Sequence, residues 1–170
     1  MMSEKKKTKI DLAENLLRQN KYGDAIILLK ELNEEFPEEE SILLMLSLAY
    51  FDSGDTKHAE NYLKVLLEKE LNRKVFTGFA FDELVRIYKQ QKDFIKLVDV
   101  CERAAAAQPD DICLLTELGN AYLQSGRAEK ACEIFKKLIE IEGLGHEHKN
   151  YPKAIQKINK EVLAFLRKYL

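Results

Sequence analysis

The feature that most restricts how this chain can fold is a repetition. Ala25, Ala59 and Ala131 sit in matching contexts, Tyr22-Gly23-Asp24-Ala25-Ile26, Thr56-Lys57-His58-Ala59-Glu60 and Ala128-Glu129-Lys130-Ala131-Cys132, and the first two alanines are 34 residues apart. Self-similarity at such a period marks small units that cannot bury an apolar face alone and stack on their neighbours to do so. A 34-residue frame divides the chain into units 6–39, 40–73, 78–111 and 112–145, with residues 74–77 inserted, five residues ahead and 25 behind. Each unit carries two helix-length apolar patterns separated by a polar break: Asn20-Lys21-Tyr22-Gly23, Asp52-Ser53-Gly54-Asp55, Gln91-Lys92-Asp93 and Gln124-Ser125-Gly126. Helical hairpins follow, and with seven Gly and three Pro in 170 residues there is little to interrupt them.

The pattern resembles the tetratricopeptide repeat, whose unit has a Leu and a small residue in its first helix, an aromatic three further on, an Ala in the second helix and a Pro near its end. The fourth unit matches best, with Leu118-Gly119-Asn120-Ala121-Tyr122, then Gly126, Ala131 and Phe135. Leu46-Ser47, Tyr50, Gly54 and Ala59 fill these places in the second unit, and Leu12-Ala13, Tyr22, Ala25 and Pro37 in the first. The small residues let two helix axes approach closely while larger apolar side chains fill the remaining space. The third unit keeps Leu84, Tyr88 and Pro109 but has Val85 for the small residue and Leu97 for the Ala. Cys101 stands where the family has an aromatic, so added bulk at two positions is offset by lost bulk at a third. The insertion Lys74-Val75-Phe76-Thr77 makes the junction of units two and three the expected irregularity.

The resemblance implies an all-α fold, a right-handed superhelical array of four helical hairpins over residues 6–145. Residues 1–5 would be a flexible N-terminus, and residues 146–170, with Ile155, Ile158, Val162, Phe165, Leu166 and Tyr169 at helical spacing, would form a C-terminal capping helix. It also implies a concave groove lined by the second, fifth, sixth, ninth, twelfth and thirteenth residues of each unit. Carried onto this sequence, these give Ile10, Asp11, Glu14, Leu17 and Arg18; Leu44, Met45, Leu48 and Phe51; Phe79, Asp82, Glu83, Arg86 and Lys89; and Thr116, Glu117, Asn120 and Leu123.

The second unit stands out. Ile42, Leu43, Leu46 and Tyr50 already supply a core face, yet Leu44, Met45, Leu48 and Phe51 make the opposite face apolar too, and a helix hydrophobic all round has to be covered on both sides. Two readings stay open: a pocket for apolar side chains of a peptide segment, or cover by the chain's own C-terminal or N-terminal helix or by a second copy. Glu14, Asp82, Glu83 and Glu117 would favour basic residues beside the apolar anchors, although Asp82 and Arg86, four apart, can also pair along one helix. Glu38-Glu39-Glu40 is explained by the positive end of the following helix. The clamp by which heat-shock-chaperone adaptors of this family hold an acidic tail needs Lys, Asn and Arg at set positions. Here those positions offer Ile10, Glu14, Met45, Phe79 and Glu83 in one register and Leu44, Leu48, Asp82, Cys113 and Glu117 in the other, with no cation in either.

The expected function is therefore a non-catalytic protein–protein interaction scaffold or adaptor that binds a peptide segment or helix. A chaperone resembling the repeat-containing secretion chaperones, holding an apolar client segment, and a self-assembling scaffold are the alternatives. No glycine-rich phosphate loop, G-x-S-x-G elbow or H-E-x-x-H pattern occurs, so no enzyme, cofactor or metal is expected. His146 and His148 make too few ligands for a metal site. With 27 basic and 29 acidic residues there is no basic footprint for nucleic acid. The longest apolar run, residues 42–51, is too short to insert in a membrane. Three cysteines without a C-x-x-C pair and no signal-peptide core lead to an expected cytoplasmic location, with the cysteines as small apolar fillers.

Overall fold

Each polar break is a place where a helix must stop, and in the computed structural model, which describes residues 2–73 and 77–141, a helix ends at each of them. The described residues form eight helices and no strand: α1 (Met2–Arg18), α2 (Tyr22–Glu35), α3 (Glu40–Asp52), α4 (Thr56–Leu71), α5 (Phe79–Gln91), α6 (Phe94–Ala107), α7 (Ile112–Gln124) and α8 (Ala128–Ile141). Asn20, Gly54, Lys92 and Gly126 all have positive φ, between 56° and 90°, and all four occupy the fifteenth place of the 34-residue frame. The turn within every hairpin thus needs one left-handed residue, which Gly adopts freely and Asn or Lys only at a cost. The second helices begin immediately afterwards, with Asp55 capping α4 through the His58 amide (3.2 Å) and Asp93 capping α6 through that of Lys96 (3.1 Å). Asp111 caps α7 in the same way (Leu114 amide, 3.0 Å).

The chain divides into two compact units, Met1–Lys92 and Asp93–Leu170. In the first, successive helices α1 to α5 pack on one another, and α1 also touches α3. Its core joins Ala13 of α1, Ala25, Leu29 and Leu32 of α2, and Ile42, Met45, Leu46 and Ala49 of α3. In the second, α7 packs on both α6 and α8. There Gly119 lies so close to Phe135 that a Cβ would stand 2.4 Å from the ring, which is why the smallest residue occupies that place. Ala25, Ala59 and Ala131, the residues that revealed the repeat, are fully buried.

The acidic run 38–40 is held by pairing as well as by a helix end. Glu38 pairs with Lys69 (3.0 Å), Glu39 with Lys6 and Glu40 with Arg73, tying α1 and the end of α4 to the turn between α2 and α3. Lys6 also lies over the Phe36 ring, 4.6 Å from its centroid. Residues 2–5, expected as a flexible lead, instead continue α1, whose helix begins at Met2. Cys101 is buried as a filler, but Cys113 is exposed. Leu12 is also 50% exposed although its counterparts Leu46, Leu84 and Leu118 are buried. Leu46 lies in one core with the residues of α2, the second helix of the preceding hairpin, and α1 has no such helix ahead of it among the described residues. The expected C-terminal helix 146–170 lies outside the described residues.

Candidate functional site

The first helices α1, α3 and α5 carry the proposed inner-face residues of the first unit. On α1, Glu14 is half-buried and pairs with Arg18 at 3.1 Å, while Ile10 and Leu17 pack against the edge of the core. On α3 the expected apolar face splits. Met45, only 9% exposed, is drawn into the cluster shared by α1, α2 and α3 and is core rather than open surface. Leu44, Leu48 and Phe51, one helical stripe at i, i+4 and i+7, stay half-buried. On α5, Asp82 and Phe79 are exposed, Phe79 at 37%, and Glu83 is half-buried.

Three of these residues meet. The Arg86 guanidinium lies 4.0 Å from the centroid of the Phe51 ring, joining α5 to the end of α3. The same guanidinium donates through Nε to Glu83 at 3.0 Å and through a second nitrogen to the same carboxylate oxygen. Helical spacing had pointed to Asp82 as the partner of Arg86; the pair in the structure is with Glu83. Glu117 and Asn120 sit half-buried on α7, in the second unit.

The junction that the insertion marked as irregular contains a residue the sequence reading missed. Glu70, in the last turn of α4 and 6% exposed, accepts a hydrogen bond from Thr77 Oγ1 at 2.8 Å and from the Ala80 amide at 3.1 and 3.2 Å through its two carboxylate oxygens. A carboxylate at the C-terminal end of its own helix is opposed by the helix dipole by about 0.3–1 kcal/mol. Hydrogen bonds to a charged acceptor contribute about 1.5–3 kcal/mol and therefore outweigh that cost. The cap serves α5, whose N-cap position is Gly78, at φ 75° and with no side chain of its own to offer. A helix opened by Gly, preceded by an acid at the far end of the previous helix, was the only available signal.

Two further clusters set the local electrostatics. In the first unit Tyr50 stacks between His58 (4.9 Å) and Tyr62 (5.8 Å). Burial raises the pKa of both tyrosines, whereas hydrogen bonding from the His58 amide lowers that of Asp55, which also contacts the His58 ring at 2.7 Å. In the second unit Tyr122 of α7 donates to Glu102 of α6 at 2.5 Å. Burial, and then that bond and charge, push the phenol up to about 12. Among the described residues there is no group of three or more metal-capable side chains, and no helix is long and apolar enough to cross a membrane.

With paired helices in each unit and the small-residue contacts in place, the comparisons agree with the architecture. Residues 16–76 and 114–143 each match a tetratricopeptide repeat model, and the chain belongs to the tetratricopeptide repeat family. Repeats of this family serve as protein–protein interaction scaffolds. Tetratricopeptide repeat protein 21B of Xenopus laevis is 25% identical over 130 residues, covering 76% of this chain; the chain spans only 10% of that protein's length. MamA from Desulfovibrio magneticus RS-1 superposes with a TM-score of 0.60 at 21% identity, over 99% of this chain and 94% of that one. The kinesin light chain-like repeats of Podosopora anserina give 0.57 at 17% identity, over 96% and 95%. At these identities the likeness is one of fold.

Proposed function

We propose that this chain is a non-catalytic adaptor whose first unit docks a segment of another protein, extended or helical, on the face formed by α1, α3 and α5. The observation that carries this reading is the Leu44, Leu48 and Phe51 stripe. Ile42, Leu43 and Leu46 already supply the core side of α3, yet these three are neither taken into the core nor replaced by polar residues. Glu14 and Glu83 already pair with Arg18 and Arg86, so recognition on this face would rest chiefly on its apolar residues. Ile10 and Leu17 would form the floor at one end and Phe79 and Arg86 the wall at the other. The same reading takes the chain as four hairpin units over residues 6–145 of a cytoplasmic protein.

Affinity capture with mass spectrometry, comparing wild type with the Leu44→Ser/Leu48→Ser double variant, tests this. Both leucines lie outside the buried set, so helicity by circular dichroism should be unchanged while the captured protein is lost. Capture that is unaffected by the double substitution removes this face from consideration. Concentration-dependent self-association abolished by the same variant, with no other protein captured, would assign the face to a second copy instead.

A further inference from the structure

The Glu70 contact reaches from the end of α4 to the first turn of α5, across the insertion that sets the third unit out of frame with the second. We infer that Glu70 is a positioning residue: by fixing the start of α5 it sets where Arg86 lies against Phe51, and so shapes the proposed docking face without touching it. This rests on the docking reading for its functional meaning but not for its test.

The insertion of four residues makes the connection from α4 to α5 longer than those from α2 to α3 and from α6 to α7, so the short linker no longer fixes where α5 starts and another constraint is needed. Gly78 supplies none, and Glu70 supplies two: Thr77 Oγ1, just before the helix, and the Ala80 amide, inside its first turn. Both anchor points are on one buried carboxylate, which fixes the direction of the helix start as well as its distance from α4. From Ala80 to Arg86 is six residues of continuous helix, about 9 Å, so a change at the first turn is carried to the guanidinium. Arg86 is where α5 meets α3, through Phe51.

The ring provides a spectroscopic reading of that geometry. With the guanidinium 4.0 Å from the Phe51 centroid, the Arg86 Cδ and Nε protons are expected at shielded, upfield NMR shifts, which Phe51→Leu identifies by abolishing them. The experiment compares the full chain as wild type, Glu70→Ala and Glu70→Gln. If Glu70 positions α5, Glu70→Ala shifts the Ala80 amide and also collapses the shielding at Arg86, and Glu70→Gln, which keeps an acceptor oxygen, restores most of both. If Glu70→Ala moves the amides of residues 78–82 and leaves the Arg86 shielding intact, Glu70 is a local cap and the inference is overturned. Should Glu70→Ala fail to fold, Glu70→Asp keeps the charge and retracts it by one methylene. Loss of Arg86 shielding in that folded variant supports the role, and unchanged shielding overturns it. No partner enters the measurement, so its failure leaves the docking proposal to the Leu44/Leu48 assay, and the reverse.

Discussion

Replacing Gly119 by Ala opposes two effects of known sign. A glycine in mid-helix costs about 1 kcal/mol relative to alanine, so on propensity alone the substitution would stabilise α7. The added Cβ, however, would stand 2.4 and 2.6 Å from two atoms of the Phe135 ring. Phe135 is only 1% exposed, so the ring cannot swing away without displacing its neighbours. Overpacking of this kind costs about 1–3 kcal/mol, and contacts this short belong at the upper end. Gly119→Ala should therefore lose about 1–2 kcal/mol net. The frame itself suggests the rescue. The same two places hold Ala13 and Leu29, Ser47 and Leu63, and Val85 and Cys101, so the larger the residue at one, the smaller at the other. Gly119→Ala combined with Phe135→Leu should be more stable than Phe135→Leu alone, because alanine keeps its propensity gain once the ring is gone. Since stacked repeats need not unfold all at once, the measurement is hydrogen exchange at amides of α7 and α8 alongside urea unfolding. A Gly119→Ala protein as stable as wild type, or a double variant no better than Phe135→Leu, refutes the close-approach argument.

Lys92 holds φ 56° at the place where two other hairpins have Gly, so Lys92→Gly should raise stability by about 0.5–1 kcal/mol, read as a higher thermal midpoint. Asn20→Gly should give less, since Asn tolerates this conformation. Tyr122 predicts a pH dependence. Its phenol is raised in the folded state, so its contribution is complete below the unfolded value of 10.0 and is lost as the pH climbs towards about 12. The loss amounts to at most about 3 kcal/mol. Urea midpoints measured against pH should fall less steeply above 10 in Tyr122→Phe, with Tyr50, Tyr62 and Lys9, whose values are also raised, contributing to the remaining slope.

The candidate face was legible in part, and the way it was misread follows physical lines. Helical periodicity placed Leu44, Leu48 and Phe51 on one stripe, because side-chain direction along a helix depends on spacing alone. It placed Met45 beside them, but whether a residue at the border of a stripe turns inward depends on the neighbouring helix, and the packing of α1 and α2 against α3 took Met45 into the core. Helical spacing likewise offered Asp82 to Arg86, and in the folded helix the guanidinium pairs with Glu83 instead.

From its letters alone, this chain specifies where helices start and stop and which residues must be small. Those properties are set by backbone conformation and by volume within one hairpin, and each recurs at a fixed place of the 34-residue unit: the left-handed turn at Gly54 and Gly126, and the buried Ala25, Ala59 and Ala131. Tertiary structure alone decided the contacts made once, between groups far apart in sequence. Glu70 capping a helix ten residues on, Arg86 settling over Phe51 of the preceding hairpin, and Glu38, Glu39 and Glu40 divided among Lys69, Lys6 and Arg73 have no period to reveal them. Hydrogen bonds and ion pairs depend on distances of a few ångströms, and only the packing of the helices sets distances of that size.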